Sequence, residues 1–90
     1  MRNVRAIGKY RKDLRLAQRR GRDLKKLNAV VDMLIAGILL PAANFDHKLG
    51  GNWVGYRECH IEPDWLLIYE ITATEVVLIR TGSHTDLFDS

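Results

Sequence analysis

His47, His60 and His84, with Asp64 and Arg80, are the residues of this ninety-residue chain whose types suit them to chemistry. His47 and His60 lie in one stretch, Asp46 to Asp64, which also holds Trp53 and Tyr56 and closes on Pro63-Asp64. His84 lies in a second polar cluster, Arg80-Thr81-Gly82-Ser83-His84. Histidine titrates near neutrality, with a reference pKa of about 6.5, so one ring can accept a proton while another donates one. Arginine offers a planar fork for a phosphate and for the charge that builds on it. RNA is a fitting substrate because its 2′-hydroxyl is a nucleophile already placed beside the scissile phosphate. A base, an acid and an arginine are then sufficient for metal-free transesterification, leaving a 2′,3′-cyclic phosphate and a 5′-hydroxyl. His47, His60, His84 and Asp64 are also acceptable zinc ligands. Their spacing matches no compact zinc pattern, and no HExxH or CxxC is present, so no metal or cofactor is expected. Each histidine could alternatively be an ordinary surface residue, but three on one edge beside an arginine argue against that.

The convergence follows from the elements that must carry these residues. Arg2 to Ile7 alternates loosely and suits a short edge strand. Lys9 to Arg20 places Tyr10, Leu14 and Ala17 at helical spacing, with Gly21 as the stop. Asp23 can cap a second helix whose apolar stripe runs Leu24, Leu27, Val30, Val31, Leu34, Ile35 and ends at Gly37. Ile38 to Asn44 is a loop marked by Pro41. Three strands are expected at Trp53–Ile61, Trp65–Ile71 and Glu75–Thr81, separated by Glu62-Pro63 and Thr72-Ala73-Thr74. Two helices followed by three closely spaced strands predict an α+β domain: an N-terminal helical hairpin on an antiparallel meander, with a possible N-terminal edge strand. In a meander the end of the first strand, the start of the second and the end of the third share one sheet edge. Those positions are His60, Asp64 and Arg80 to His84. Tyr56, Glu58 and His60 share one face of the first strand, with Arg57 and Cys59 on the other. His47, on the loop before that strand, can fold over the same edge.

Charge is divided unevenly along the chain. Residues 1–26 hold eleven Lys and Arg against two acidic residues, a net +9, whereas residues 27–90 carry a net −6. A positive surface of this kind fits a polyanionic partner or, more plainly, a solvated helical face. Ninety residues suffice for one domain with a modest core and an open groove rather than a deep cavity. The single cysteine, Cys59, excludes an internal disulfide and suits the cytosol. No signal peptide is evident, and the most apolar run, Val30 to Leu40, is too short to span a bilayer.

The runs Asp46-His47-Lys48-Leu49, Gly51 to Tyr69 and Arg80-Thr81-Gly82-Ser83-His84 resemble the YafQ-like toxins of the RelE/ParE superfamily of bacterial type II toxin–antitoxin systems. The start, Tyr10 to Leu14 through Arg20-Gly21, and the ending Leu87-Phe88 fit as well, so the resemblance covers nearly the whole chain. The chain departs from the usual pattern at Lys48 and Gly50. The resemblance implies a single RelE-like domain over residues 1–90 and a ribosome-dependent mRNA endonuclease of the cytoplasm. It implies a cognate antitoxin as partner, with operator DNA reached only through the antitoxin complex. Carried over, the catalytic candidates are His47, His60, Asp64, Arg80, His84 and Phe88. His60 and His84 would be base and acid in unassigned order, Arg80 would stabilise the phosphate, Asp64 would orient a histidine, and Phe88 would position a base or the RNA end. Arg11, Lys12, Arg15, Arg19, Arg20, Arg22, Lys25 and Lys26 would dock on ribosomal RNA. ParE-type relatives share the fold but inhibit DNA gyrase by binding, so the alternatives are a gyrase inhibitor or an inactive binding module. Neither alternative needs the histidine set.

Overall fold

The computed structural model describes residues 1–88, an α+β arrangement of three helices and a five-stranded mixed sheet. Strand β1 (Asn3–Ala6) leads into helix α1 (Gly8–Arg19), and a tight turn leads into α2 (Leu24–Ala36). After an irregular stretch come β2 (His47–Lys48), β3 (Arg57–Glu62), β4 (Trp65–Ile71), β5 (Glu75–Gly82) and the short helix α3 (His84–Phe88). The strand order is β1-β5-β4-β3-β2. Strands β3, β4 and β5 pair antiparallel in succession, β2 adds antiparallel to β3, and β1 adds parallel to β5.

The helix boundaries follow local chemistry. The Asp23 carboxylate accepts the Lys25 backbone N–H at 3.0 Å, satisfying one of the free donors at the start of α2. Gly37 ends α2 in the left-handed region at φ +76, which costs a glycine nothing. Between these ends Leu27, Val30, Val31 and Leu34 are buried at helical spacing. They pack with Tyr10 and Ala17 of α1 against Cys59, Trp65, Leu67, Tyr69, Val76 and Leu78 on one face of the sheet. Burial pushes the Cys59 thiol up to about 12, so it is a small core residue rather than a nucleophile.

The other sheet face is also covered. Leu66 and Ile68 pack with Leu87 of α3 and with Leu49, Trp53, Tyr56 and Ile79. Strand β4 is therefore buried on both faces, which is why it reads as an almost unbroken apolar run.

Two expectations are corrected. The sheet has five strands, because His47 and Lys48 pair with Glu58 and Arg57 rather than lying in a loop. The strand expected from Trp53 starts at Arg57. Gly51–Trp53 is instead a 3₁₀ turn, and Gly55, at φ +93, reverses the chain so that Trp53 and Tyr56 fold beneath the second face. Beyond the last strand, His84–Phe88 form α3. No helix among the described residues is long and apolar enough to cross a membrane.

Candidate active site

The strand register brings the ionisable residues together on the second face. His47 lies opposite Glu58, Glu58 opposite Ile68, and Ile68 opposite Arg80, which makes one row across four strands. In the next row His60 lies opposite Leu66, and Leu66 opposite Gly82. Leu66 and Ile68 belong to the second-face core, so Glu58, His60 and Arg80 share their face.

Arg80 reaches this row through an irregularity. The β4–β5 register shifts between Ile68 and Tyr69, leaving Ile79 as the extra residue of a β-bulge. Strict alternation from Leu78, which faces the helices, would have turned Arg80 toward the helices. The bulge returns it to the second face, and Thr81 regains the first. There the Thr81 hydroxyl accepts from Trp65 Nε1 at 2.9 Å and donates to the Leu66 carbonyl at 2.7 Å. Arg80 borders an open cleft with Ile7, Lys9, Asn52, Trp53, Tyr56 and Ile79. Its Nε and Nη2 donate to the Asp13 carboxylate of α1 at 2.6 and 3.1 Å. That bidentate pair raises the guanidinium pKa further and sets the direction of the fork.

His84, at the start of α3, places its Nδ1 2.6 Å from Asp64 Oδ1. The same oxygen accepts the His84 backbone N–H at 3.0 Å. An ionised carboxylate only accepts, so Nδ1 carries the hydrogen and Nε2 is left for chemistry. The two His84 hydrogen bonds hold the Asp64 carboxyl below the usual carboxylate range. Asp64 thus stays ionised through the pH range in which an imidazole changes charge. Gly82 allows α3 to lie this close, for a Cβ there would meet Asp86 Cβ at 3.0 Å.

His60 stands beside this dyad, its ring centroid 5.6 Å from that of His84. The Asn44 amide donates to the His60 carbonyl at 2.7 Å, and Phe45 sets its edge against the ring at 5.5 Å. Glu58 is buried between two imidazoles, its Oε1 3.6 Å from His60 Nε2 and 3.5 Å from His47 Nε2. His47 Nδ1 donates to the Phe45 carbonyl at 2.6 Å, which turns Nε2 toward Glu58. The preceding residue, Asp46, is clasped by the Tyr69 hydroxyl at 2.5 Å and by Arg57 Nη2 at 3.1 Å, so His47 is held from both sides.

Of the six expected catalytic residues, His47, His60, Asp64 and His84 share one region, and Arg80 lies on the same sheet face two strands from His60. Phe88 adjoins it through an edge-to-face contact of 5.8 Å with Trp53 and remains partly exposed. Sequence reasoning left out Glu58, Phe45 and Trp53. Glu58 was detectable, since it shares strand parity with His60. Phe45 was not, because it reaches His60 only through a left-handed backbone at φ 46. Among the described residues no group of three or more His, Cys, Asp or Glu is arranged to hold a metal ion.

The eight basic candidates divide. Lys12, Arg15 and Arg19 line an open groove along α1 with Gln18. Arg20, Arg22 and Lys26 instead turn back on the body, pairing with Asp86, Glu62 and Glu62 at 2.8, 3.6 and 2.8 Å. Arg11 and Lys25 are exposed.

Comparison with known proteins agrees with this architecture. A family profile described as bacterial toxin of type II toxin–antitoxin system, YafQ, matches residues 2–89. The mRNA interferase toxin YafQ of Escherichia coli strain K12 is 47% identical over 88 residues, covering 97% of this chain and 96% of that protein. The toxin in the crystal structure of the E. coli DinJ–YafQ toxin–antitoxin complex superposes with a TM-score of 0.90 at 45% identity, covering 97% of each chain. A metal-bound toxin from Helicobacter pylori superposes with a TM-score of 0.91 at 39% identity, covering 98% of this chain and all of that one. The chain belongs to the YafQ family of bacterial type II toxins.

Proposed function

We propose that this protein is the toxin of a type II toxin–antitoxin system and an mRNA interferase, cleaving mRNA on the ribosome by acid–base transesterification. A single observation carries the reading: Asp64 grips His84 Nδ1 at 2.6 Å while the His60 ring stands 5.6 Å from that of His84. Two imidazoles at this separation can address opposite sides of one phosphate. One takes the 2′-hydroxyl proton, and the other delivers a proton to the departing 5′-oxygen. Asp64 stabilises the imidazolium form of His84, as the orienting carboxylate does in a catalytic triad. Arg80, its fork steered by Asp13, supplies positive charge to the crowded phosphate. Phe88 and Trp53 offer aromatic edges to a neighbouring base. The finer architectural reading accompanies this function: one RelE-like domain over residues 1–90, built on a helical hairpin and a three-stranded meander, acting in the cytoplasm beside a cognate antitoxin. That partner is supported by the DinJ–YafQ complex of the E. coli relative.

The test is cleavage of a defined mRNA on programmed bacterial ribosomes, with excess chelator and, separately, with added divalent metal. The expected result is cleavage in chelator, leaving a 2′,3′-cyclic phosphate. Cleavage only with added metal would refute the acid–base mechanism. A folded chain that cleaves under neither condition would point to a binding role instead.

Ribosome docking belongs to the α1 groove. Phosphate contacts release counterions, so each contact removed lowers the slope of log affinity against log salt by roughly 0.7–0.9. Replacing Lys12, Arg15 and Arg19 together by glutamate should weaken ribosome binding and flatten that slope by roughly 2. Filter-binding titrations across a salt series measure this, and an unchanged slope would remove these residues from the interface.

A further inference from the structure

We propose that Arg20 and Arg22, in the turn between α1 and α2, are positioning residues that hold the Asp64–His84 dyad in register rather than contacts for RNA. The proposal rests on the nuclease reading above for its kinetic consequence, but not for its structural one. Asp64 and His84 come from different places, the β3–β4 turn and the start of α3, and no continuous element joins them. The α1–α2 turn reaches both. Arg20 Nη1 binds Asp86 Oδ2 at 2.8 Å. That same oxygen accepts the Ser83 backbone N–H at 3.1 Å, while Ser83 Oγ accepts the Asp86 N–H at 3.1 Å. Arg20 therefore grips the reciprocal bonds that open α3, one residue from His84.

Two residues on, Arg22 lays its guanidinium over the Trp65 ring, 5.1 Å from its centroid. Its Nη1 lies 3.6 Å from Glu62, and its Nη2 makes a long contact of 3.4 Å with the Asp64 carbonyl. Lys26 holds Glu62 from the other side at 2.8 Å. A register shift in β3 between His60 and Glu62 brings Glu62 level with Trp65 on the helix side, within reach of both cations. Gly21, at φ +77, makes the bend that points Arg20 and Arg22 at neighbouring targets. One three-residue turn thus braces both halves of the dyad.

The exposed pair of Arg20 contributes little to global stability, as surface ion pairs do. Its expected effect lies in geometry, where a displacement near 1 Å can cost about 100-fold in rate. Arg20→Ala and Arg22→Ala should each lower the single-turnover cleavage rate by roughly 10–100-fold. Ribosome affinity and its salt slope should stay at the native values. Arg20→Lys, which can still reach Asp86, should recover most of the rate. On a His84→Ala background, Arg20→Ala should produce little further loss, because its effect passes through His84.

A second readout needs no nuclease activity. The imidazole of His84 in the intact, ¹⁵N-labelled protein should show the Nδ1–H tautomer, by its ring ¹⁵N shifts and two-bond ¹H–¹⁵N couplings, in the native chain. That signal should weaken or vanish in Arg20→Ala and Arg22→Ala and persist in Arg20→Lys. An unaltered His84 signal in both alanine variants would overturn the proposal. So would a salt slope reduced as for a lost phosphate contact, or rate losses that add fully to that of His84→Ala. If the native chain proves inactive on ribosomes, the nuclease reading fails while the resonance experiment still decides the positioning role.

Discussion

Replacing His84 by alanine is expected to lower the cleavage rate by about 10²–10⁴, the range a positioned acid or base contributes. Its Nδ1 is committed to Asp64 at 2.6 Å, so the whole catalytic capacity of the ring resides in Nε2, and alanine removes it. His60→Ala should fall in the same range, because a second proton-transfer group is lost. Asp64→Asn separates two roles. The amide keeps the shape but cannot balance an imidazolium, and it can turn an N–H toward Nδ1 and select the wrong tautomer. Single-turnover kinetics on programmed ribosomes, with binding measured independently, checks all three. The double variant His60→Ala/His84→Ala should be far less than multiplicatively impaired, since groups that act as one unit do not add. Near-native rates in either single variant would dismiss the two-imidazole mechanism.

Trp65→Ala is expected to have the largest effect on stability. The indole is fully buried, its Nε1 bonds Thr81 Oγ1, and Arg22 covers its ring. Truncating a buried tryptophan costs about 3–5 kcal/mol. A domain of this size has about 5–15 kcal/mol in total, and each kcal/mol moves Tm by roughly 4–8 °C. Thermal unfolding followed by circular dichroism should show a drop of roughly 15–30 °C. Trp65→Phe retains most of the packing and leaves the Thr81 hydroxyl its donated bond to Leu66, so it should cost only about 1–2 kcal/mol. A Tm within a few degrees of native for the alanine variant would show that the core closes over the gap.

The regions legible in the sequence were those where local chemistry and tertiary packing agree. The α2 stripe, its Asp23 cap and its Gly37 stop are all written within fifteen residues, and the structure uses each of them. Strand β4 was legible because both of its faces are buried. The edge shared by His60, Asp64 and His84 followed from turn lengths alone. Strand β2 was not legible, since two residues carry no periodicity and exist as a strand only through pairing with β3. Helix α3 is likewise too short for a pattern, and its closing residue, Phe88, depends on contact with Trp53. The orientation of Arg80 depended on a bulge that alternation cannot foresee. The basic run looked uniform because charge says nothing about partners. Arg20, Arg22 and Lys26 find theirs across 66, 40 and 36 positions of chain, at Asp86, Glu62 and Glu62.

The parallel pairing of β1 with β5 has a consequence for how the toxin comes into being. Arg5 and Glu75, joined at the sheet edge, are 70 positions apart, and the Asp13–Arg80 pair spans 67. Contacts of such separation cannot form until the intervening chain has been synthesised and closed into a loop, which slows folding and delays it until β5 has been made. The first strand made is therefore among the last to be paired. His84 and the helix that carries it are still within the ribosome when the α1–α2 turn has already emerged. A nascent chain of this topology has no assembled dyad until β5 and α3 have emerged behind the helices.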